Sequence, residues 1–442
     1  MSIQATIGKD KITEVFKPLY RKESLIALYL LYFILGMVSF SSGYIFYNEY
    51  RVIEVVLLLI LGAIALFNRF SSISKAEWWS FVFIALGSIF WRNFLFLMTD
   101  LLLFYLLYKS FHFLNYNELI TKVIVFLSFT VFLLLPIALW DYVRTGVYLP
   151  NWYPLSWNIR VYNSYFLMLS IFSVWFYITD KHSRGFYLLF SFLGFTAILL
   201  DSGRSATLAY TVFITVIVVF NRTVCKQLLA TYTASWLTYI GITYLAMFNL
   251  ASSSAVGLQI ARVTTSLRYD LWMNAFNCWK QNPLIGCGFY QLGSYEYLAA
   301  HPHNLFIQVL SETGLIGFGI LLYMMFIIAK HINWYQKHSY FIIAAFLAIG
   351  TELSLSGMYI YPITQIVLLW LLVFLLKNPQ FSYTNSFNYD GKKTKSLNYI
   401  LSWVIYIAVA IYFLYLFRHT TTFLIEAPVT PPRFWTYGYQ LF

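Results

Sequence analysis

The chain has 442 residues, of which 60% are hydrophobic, 21% aromatic and 10% charged. A soluble globular chain is roughly a quarter charged, so this composition excludes a typical cytosolic enzyme, a disordered chain and a small disulfide scaffold, and leaves a polytopic membrane protein. The net charge of +12 does not point to nucleic acid here; its distribution between two membrane faces carries the information.

The first 23 residues are polar and basic, with Lys9, Lys11, Lys17, Arg21 and Lys22, and no small-residue cleavage site follows the first apolar run. Apolar stretches then fall near 24–47, 51–68, 77–91, 93–109, 119–141, 161–179, 186–202, 204–220, 227–249, 304–329, 339–355, 358–376 and 397–417. Their lengths suit helices and not barrel strands. The expected fold is all-α, with about 12–13 transmembrane helices and one long outer loop. The organisation reads as a cytoplasmic segment 1–23, helices over 24–249 with an outer loop at 142–160, and a long outer loop 250–303. Helices over 304–376, a cytoplasmic linker 377–396, a last span 397–417 and an outer tail 418–442 complete it.

With the N-terminus inside, the cytoplasmic segments hold 19 of the 29 basic residues, which satisfies the positive-inside rule. The split by type says more: 15 Lys and 4 Arg inside, 9 Arg and 1 Lys outside. A guanidinium is a planar fork that pairs two oxygens at once, which suits phosphate and pyrophosphate better than a lysine point charge does. An arginine-dominated outer face therefore suggests a fixed site for a phosphorylated lipid or an anionic glycan. Taken singly, Arg51, Arg92, Arg144, Arg418 and Arg433 fit the plainer role of snorkelling to headgroups.

Four outer segments carry the chemistry. In WNIRVYNSYF, Arg160 precedes a span. In DSGRS, Gly203 allows a tight reversal, and Arg204, at the hydrocarbon edge, needs a partner, either Asp201 or a bound anion. In RYDLWMNAFNCWK, residues Leu271, Trp272, Ala275, Phe276 and Trp279 share one helical stripe, which predicts an amphipathic helix over 268–280 ended by Asn282-Pro283. Arg268 stands in its first turn, where a cation is slightly disfavoured, a hint of function set against a surface pairing with Asp270. In HPHNLFIQVLSETGLIGFG, His301 and His303 are candidate proton acceptors, and Glu312 lies inside a span, where an acid faces a partner or a cavity. No third ligand accompanies the histidines, so no metal is expected. Cys225, Cys278 and Cys287 form no metal pattern; Cys278 and Cys287 are free to pair outside the cytoplasm, but their spacing does not require it.

Together, ILLDSGRSATLAY, LRYDLWMNAFNCWKQNPLIGCGF and HPHNLFIQVLSETGLIG resemble, in order and spacing, the O-antigen ligase and polymerase superfamily of bacterial inner-membrane glycosyltransferases. The likeness covers residues 190–320. NIRVYNSYF and the closing PPRFW resemble a ligase-type subgroup. The resemblance implies a metal-independent inverting transferase without cofactor, working at the periplasmic face on a glycan carried by undecaprenyl diphosphate. By that resemblance Arg204 and Arg268 clamp the diphosphate, and His303 positions or deprotonates the acceptor hydroxyl, with His301 as an extra candidate. Arg160 and Asn304 contact substrate, Glu312 and Asp201 support these groups from behind, and the 268–280 helix forms part of a lid. The acceptor would be lipid A-core in a ligase or a carrier-linked repeat unit in a polymerase. A protein acceptor and a lipid-linked glycan transporter are further readings. The near absence of charge inside the spans, with Glu312 and Glu352 the main exceptions, argues against transport.

Overall fold

The computed structural model describes residues 118–150, 152–153, 159–249, 268–288, 301–378 and 396–420, and isolated positions within 54–66, 103–108, 292 and 380–381. The first segment 1–23, most of the four spans expected before residue 110, the remainder of the 250–303 loop, the linker and the tail beyond 420 lie outside the described residues. Among those described there is no strand: the protein is an all-α membrane protein.

Helix α1 (Glu118–Phe129) continues through a 3-10 turn (Thr130–Leu134) into α2 (Leu135–Thr145). Pro136 sits in the first turn of α2, where its missing N–H costs nothing, and Gly146 ends the helix in the left-handed conformation at φ 69°. Then follow α3 (Ile159–Thr179), α4 (Arg184–Leu200), α5 (Arg204–Phe220) and α6 (Cys225–Asn249). After them come α7 (Arg268–Gln281), α8 (Leu305–His331), α9 (Ser339–Leu355), α10 (Pro362–Lys377) and α11 (Ser396–Thr420). From 118 onward, the helices occupy the apolar stretches expected from the sequence.

Buried α3 is the centre, packed against α1, α4, α5, α9 and α10. Small side chains set its contact with α4: a Cβ on Gly194 would come 2.8 Å from Ser170 Oγ, so the glycine lets the helices close up. Along α5 and α9, Ala206, Ala209, Ala344, Ala345 and Ala348 are buried, and Phe213 meets Phe341 edge-on at 5.6 Å. Trp370 on α10 donates to Thr121 Oγ1 at 3.0 Å, tying α10 to α1. By contrast α8 is largely exposed beyond its first turns, as a lipid-facing helix would be.

Helix α8 is broken. Gly314, at φ 64° and ψ −163°, interrupts it, a conformation open essentially to glycine alone. The segment Pro283–Gly288 enters the break and completes its hydrogen bonding. Cys287 N donates to Ser311 O at 2.9 Å and Gly288 N to Glu312 O at 3.2 Å; Leu315 N donates to Pro283 O at 2.9 Å and Ile316 N to Leu284 O at 3.1 Å. The two backbones touch where both residues are glycine: a Cβ on Gly314 would lie 2.5 Å from Gly286 N. Gly286 thus does more than permit a turn. Cys278 and Cys287, not required to pair by their spacing, form a disulfide with Cα atoms 5.6 Å apart, which staples α7 to this splice.

Candidate active site

The turns joining α4 to α5 and α9 to α10, the residues before α8 and the start of α7 meet at one end of the bundle. The α4–α5 turn is DSGR. The reversal expected of Gly203 is made elsewhere: Gly203 has an ordinary φ of −73°, and the left-handed residue is Ser202 at φ 57°. Gly203 is needed for closeness, because a Cβ there would come 2.5 Å from Asn163 Nδ2 of α3. Asp201 faces the aromatic residues after α2: Tyr148 donates to Oδ1 at 2.9 Å and Tyr153 to Oδ2 at 2.5 Å, while Trp152 Nε1 donates to the Tyr148 hydroxyl at 2.9 Å. Burial pushes the Asp201 carboxyl up to about 8 against these two hydrogen bonds.

On α7, Leu271, Ala275 and Cys278 form the buried stripe. Arg268 opens the helix half-buried, with Nε buried and lacking a hydrogen-bond partner. Burial, and then the charges of Arg160 and Arg204, disfavour its protonated form, while Glu352 favours it. Arg160 of α3 and Arg204 of α5 therefore both lie within electrostatic reach of Arg268 on α7.

Before α8, Trp272 Nε1 donates to Pro302 O at 2.9 Å, pinning the HPH segment to α7. His303 adopts φ 54°; with Ser202 it is one of two positive-φ residues other than glycine among those described. Such geometry concentrates at functional sites. His301 Nε2 and His303 Nδ1 stand 3.2 Å apart and share one hydrogen. Gly357, after α9, backs this pair: a Cβ there would come 2.9 Å from His301 Nε2. Burial, then Arg160 and Arg268, push His303 down to about 3, so the imidazole is neutral at pH 7.

Asn304 is the N-cap of α8, its side chain accepting from Ile307 N at 3.0 Å. Glu312 accepts from Gln308 Nε2 at 3.3 Å; Gln308 Oε1 in turn accepts from Tyr359. These two residues sit in the framework behind the histidines. Arg160 is exposed, Arg204 half-buried, and His301 and His303 buried.

Several site groups do not stand out in the linear chain: Tyr148, Tyr153, Ser164, Ser205, Ser356 and Gly357. Glu352 is visible only as an acid inside an apolar run. In the fold it is buried on α9 and accepts from Ser164 Oγ at 2.6 Å.

An all-α membrane protein with cations, a histidine pair and a buried acid gathered at one end is the class defined by this architecture. Within it, residues 169–322 match the family model described as O-Antigen ligase, a likeness over about a third of the chain that supports the superfamily the motifs resemble. No curated protein and no solved structure matches the chain. The matched segment holds Asp201, Arg204, Arg268, His301, His303, Asn304 and Glu312; Arg160 and Glu352 lie outside it.

Proposed function

We propose that the protein is a bacterial inner-membrane O-antigen ligase. It would transfer a glycan from undecaprenyl diphosphate to lipid A-core at the periplasmic face, without metal or cofactor. The observation supporting this most strongly is that Arg160 and Arg268 both act on the buried His303, with Arg204 in turn acting on Arg268. In such a reaction the acceptor hydroxyl attacks the anomeric carbon from the face opposite the leaving group. The new C–O bond forms as the bond to the diphosphate breaks, and the hydroxyl proton passes to the free nitrogen of His303. Guanidinium forks take the charge that grows on the departing diphosphate. That charge also offsets Arg160 and Arg268, so donor binding would raise the proton affinity of His303 at the moment a base is needed. The Cys278–Cys287 disulfide supports an oxidising side of the membrane for this end.

The test is reconstitution with carrier-linked glycan and, in parallel, rough lipopolysaccharide or carrier-linked repeat units. Glycan on lipid A-core is expected; elongated carrier-linked chains would assign polymerase activity instead. Turnover is expected to survive EDTA, since fixed arginine charges can do a cation's work. Loss in EDTA restored by magnesium or manganese would overturn the metal-independent mechanism.

A further inference from the structure

The reaction just described uses one imidazole, yet two stand together before α8. His301 is 3% exposed and His303 8%. Their rings are edge-on with centroids 4.2 Å apart, and His301 Nε2 lies 3.2 Å from His303 Nδ1. At that burial solvent does not stand in for either partner, so the two nitrogens depend on each other. The pair is held on three sides. Trp272 binds the carbonyl of Pro302 between the two histidines. Asn304 caps α8 directly after His303. Gly357 leaves room behind them: a Cβ there would come 2.9 Å from His301 Nε2 and 3.4 Å from His303 Nδ1. A side chain at 357 would therefore press on the two atoms that face each other. His303 is also held at φ 54°, a conformation that persists only where the surroundings fix it.

Proton counting then separates the two roles. A neutral imidazole has one N–H and one bare nitrogen, and the hydrogen bond made by one nitrogen decides the state of the other. Were His301 Nε2 the donor, His303 would accept at Nδ1 and carry its own proton on Nε2, leaving it no nitrogen for an acceptor hydroxyl. With His303 Nδ1 as the donor, its Nε2 is bare and open to the incoming proton. Only the second arrangement suits a base at His303. It requires His301 to accept at Nε2, with its own proton on the buried Nδ1. When the hydroxyl proton reaches His303 Nε2, the ring becomes a cation and keeps its Nδ1 proton. The bond to His301 is then charge-assisted and stronger than before.

We propose that His301 is a positioning residue: its Nε2 accepts from His303 Nδ1, which fixes His303 in the tautomer whose Nε2 is bare for the acceptor hydroxyl. The proposal rests on the glycosyl-transfer reading above, in which His303 is the base.

The experiment uses the full chain in lipid nanodiscs, with kcat and the KM for carrier-linked glycan and for acceptor measured for His301→Met, His301→Gln and His303→Ala. Solid-state nitrogen NMR of histidine-labelled protein reads the tautomer, the His303 signals being assigned by their loss in His303→Ala. Glutamine keeps an acceptor oxygen at this position, whereas methionine fills similar space and accepts only weakly. His301→Met is expected to lower kcat roughly a hundredfold, the lower end of what a positioned base contributes, with both KM values little changed. His301→Gln is expected to recover at least about tenfold of that loss. In the wild type, His303 is expected to be protonated at Nδ1 and bare at Nε2, and in His301→Met the two tautomers are expected to mix. A wild-type His303 protonated at Nε2, a silent His301→Met, or a His301→Gln no better than His301→Met would overturn the proposal. So would a change confined to KM, which would make His301 a substrate contact. Should His301→Met fail to yield monodisperse protein, the wild-type tautomer decides by itself. If His303→Ala transfers at the wild-type rate, the base reading fails and this one with it. If His303→Ala is inactive and His301→Met silent, only the role of His301 falls.

Discussion

Two aspartates, each the first residue after a helix, mark the difference between the two ends of the bundle. Asp180, after α3, accepts from Lys122 at 2.9 Å; that hydrogen bond holds its carboxyl below the usual range. Asp201, after α4, is buried against two tyrosines, and burial drives it up to about 8. Around Asp180 the arrangement is conventional: Lys122 also meets Glu118 at 3.0 Å, Asn221 donates to Tyr340 at 2.6 Å, and Trp175 packs on Phe381 with ring centroids 4.5 Å apart. Around Asp201, Arg160 and Arg204 both act on Arg268, two residues other than glycine take positive φ, and buried polar atoms of Asn163, Arg268 and Glu352 lack hydrogen-bond partners. The first end pairs Lys122 with both of its neighbouring acids, an arrangement that serves stability. The second brings several cationic side chains into one neighbourhood, which suits a site that receives an anion.

The largest effect that would sharpen this contrast is structural. Gly314→Ala puts a Cβ 2.5 Å from Gly286 N at a backbone conformation reserved for glycine. Strain of about 1–3 kcal/mol adds to overpacking of similar size, so the variant is expected to lose activity and most of its folded yield in size-exclusion profiles. A stable, active Gly314→Ala would show that the splice is incidental to the site.

Next comes the guanidinium itself. Arg268→Ala and Arg268→Lys should both reduce transfer roughly a hundredfold or more, about 3 kcal/mol of lost stabilisation of developing charge, because lysine keeps the charge but not the fork. Transfer assays at matched expression measure this. Wild-type turnover in Arg268→Lys would reduce Arg268 to a surface charge and erase the contrast between the ends.

The aspartates themselves give a smaller, signed effect. A carboxyl with a folded pKa raised to about 8 stabilises the fold fully below its unfolded value, and that contribution is lost as pH rises through about 8. Asp180, shifted downward, contributes above its unfolded value and loses that contribution only as pH falls through its lowered pKa. Between about pH 4 and about pH 8, thermal stability should therefore decline with a component that Asp201→Asn removes and Asp180→Asn leaves in place. The reverse assignment in melting curves would contradict the burial argument.

The smallest effect is expected at Lys280, exposed in the last turn of α7. It lies twelve residues from Arg268, about 18 Å along the helix, too far to share its phosphate. Lys280→Ala should cost under about 1 kcal/mol and leave transfer rates near wild type. A loss comparable to that of Arg268→Lys would move the donor site along α7.

The sequence by itself determined what depends on the chain's local chemistry. Composition demanded a membrane, the apolar stretches foretold the helices from 118 onward, and the stripe in RYDLWMNAFNCWK foretold α7. The surplus of arginine over lysine pointed to the face where Arg160, Arg204 and Arg268 gather, because a guanidinium's fitness for phosphate is a property of the residue alone. Only the tertiary structure decided which groups those residues meet. Gly203 is small because Asn163 of another helix presses on it, and Gly314 because Gly286 meets it backbone to backbone. Asp201 serves two tyrosines some fifty residues upstream, and the acid that acts on Arg268 is Glu352, contributed by a helix outside the recognisable motifs. The physical reason is one of range. Hydrophobicity and helical period act between neighbours in the chain, whereas close approach and electrostatics act between neighbours in space, and those are chosen when the helices pack.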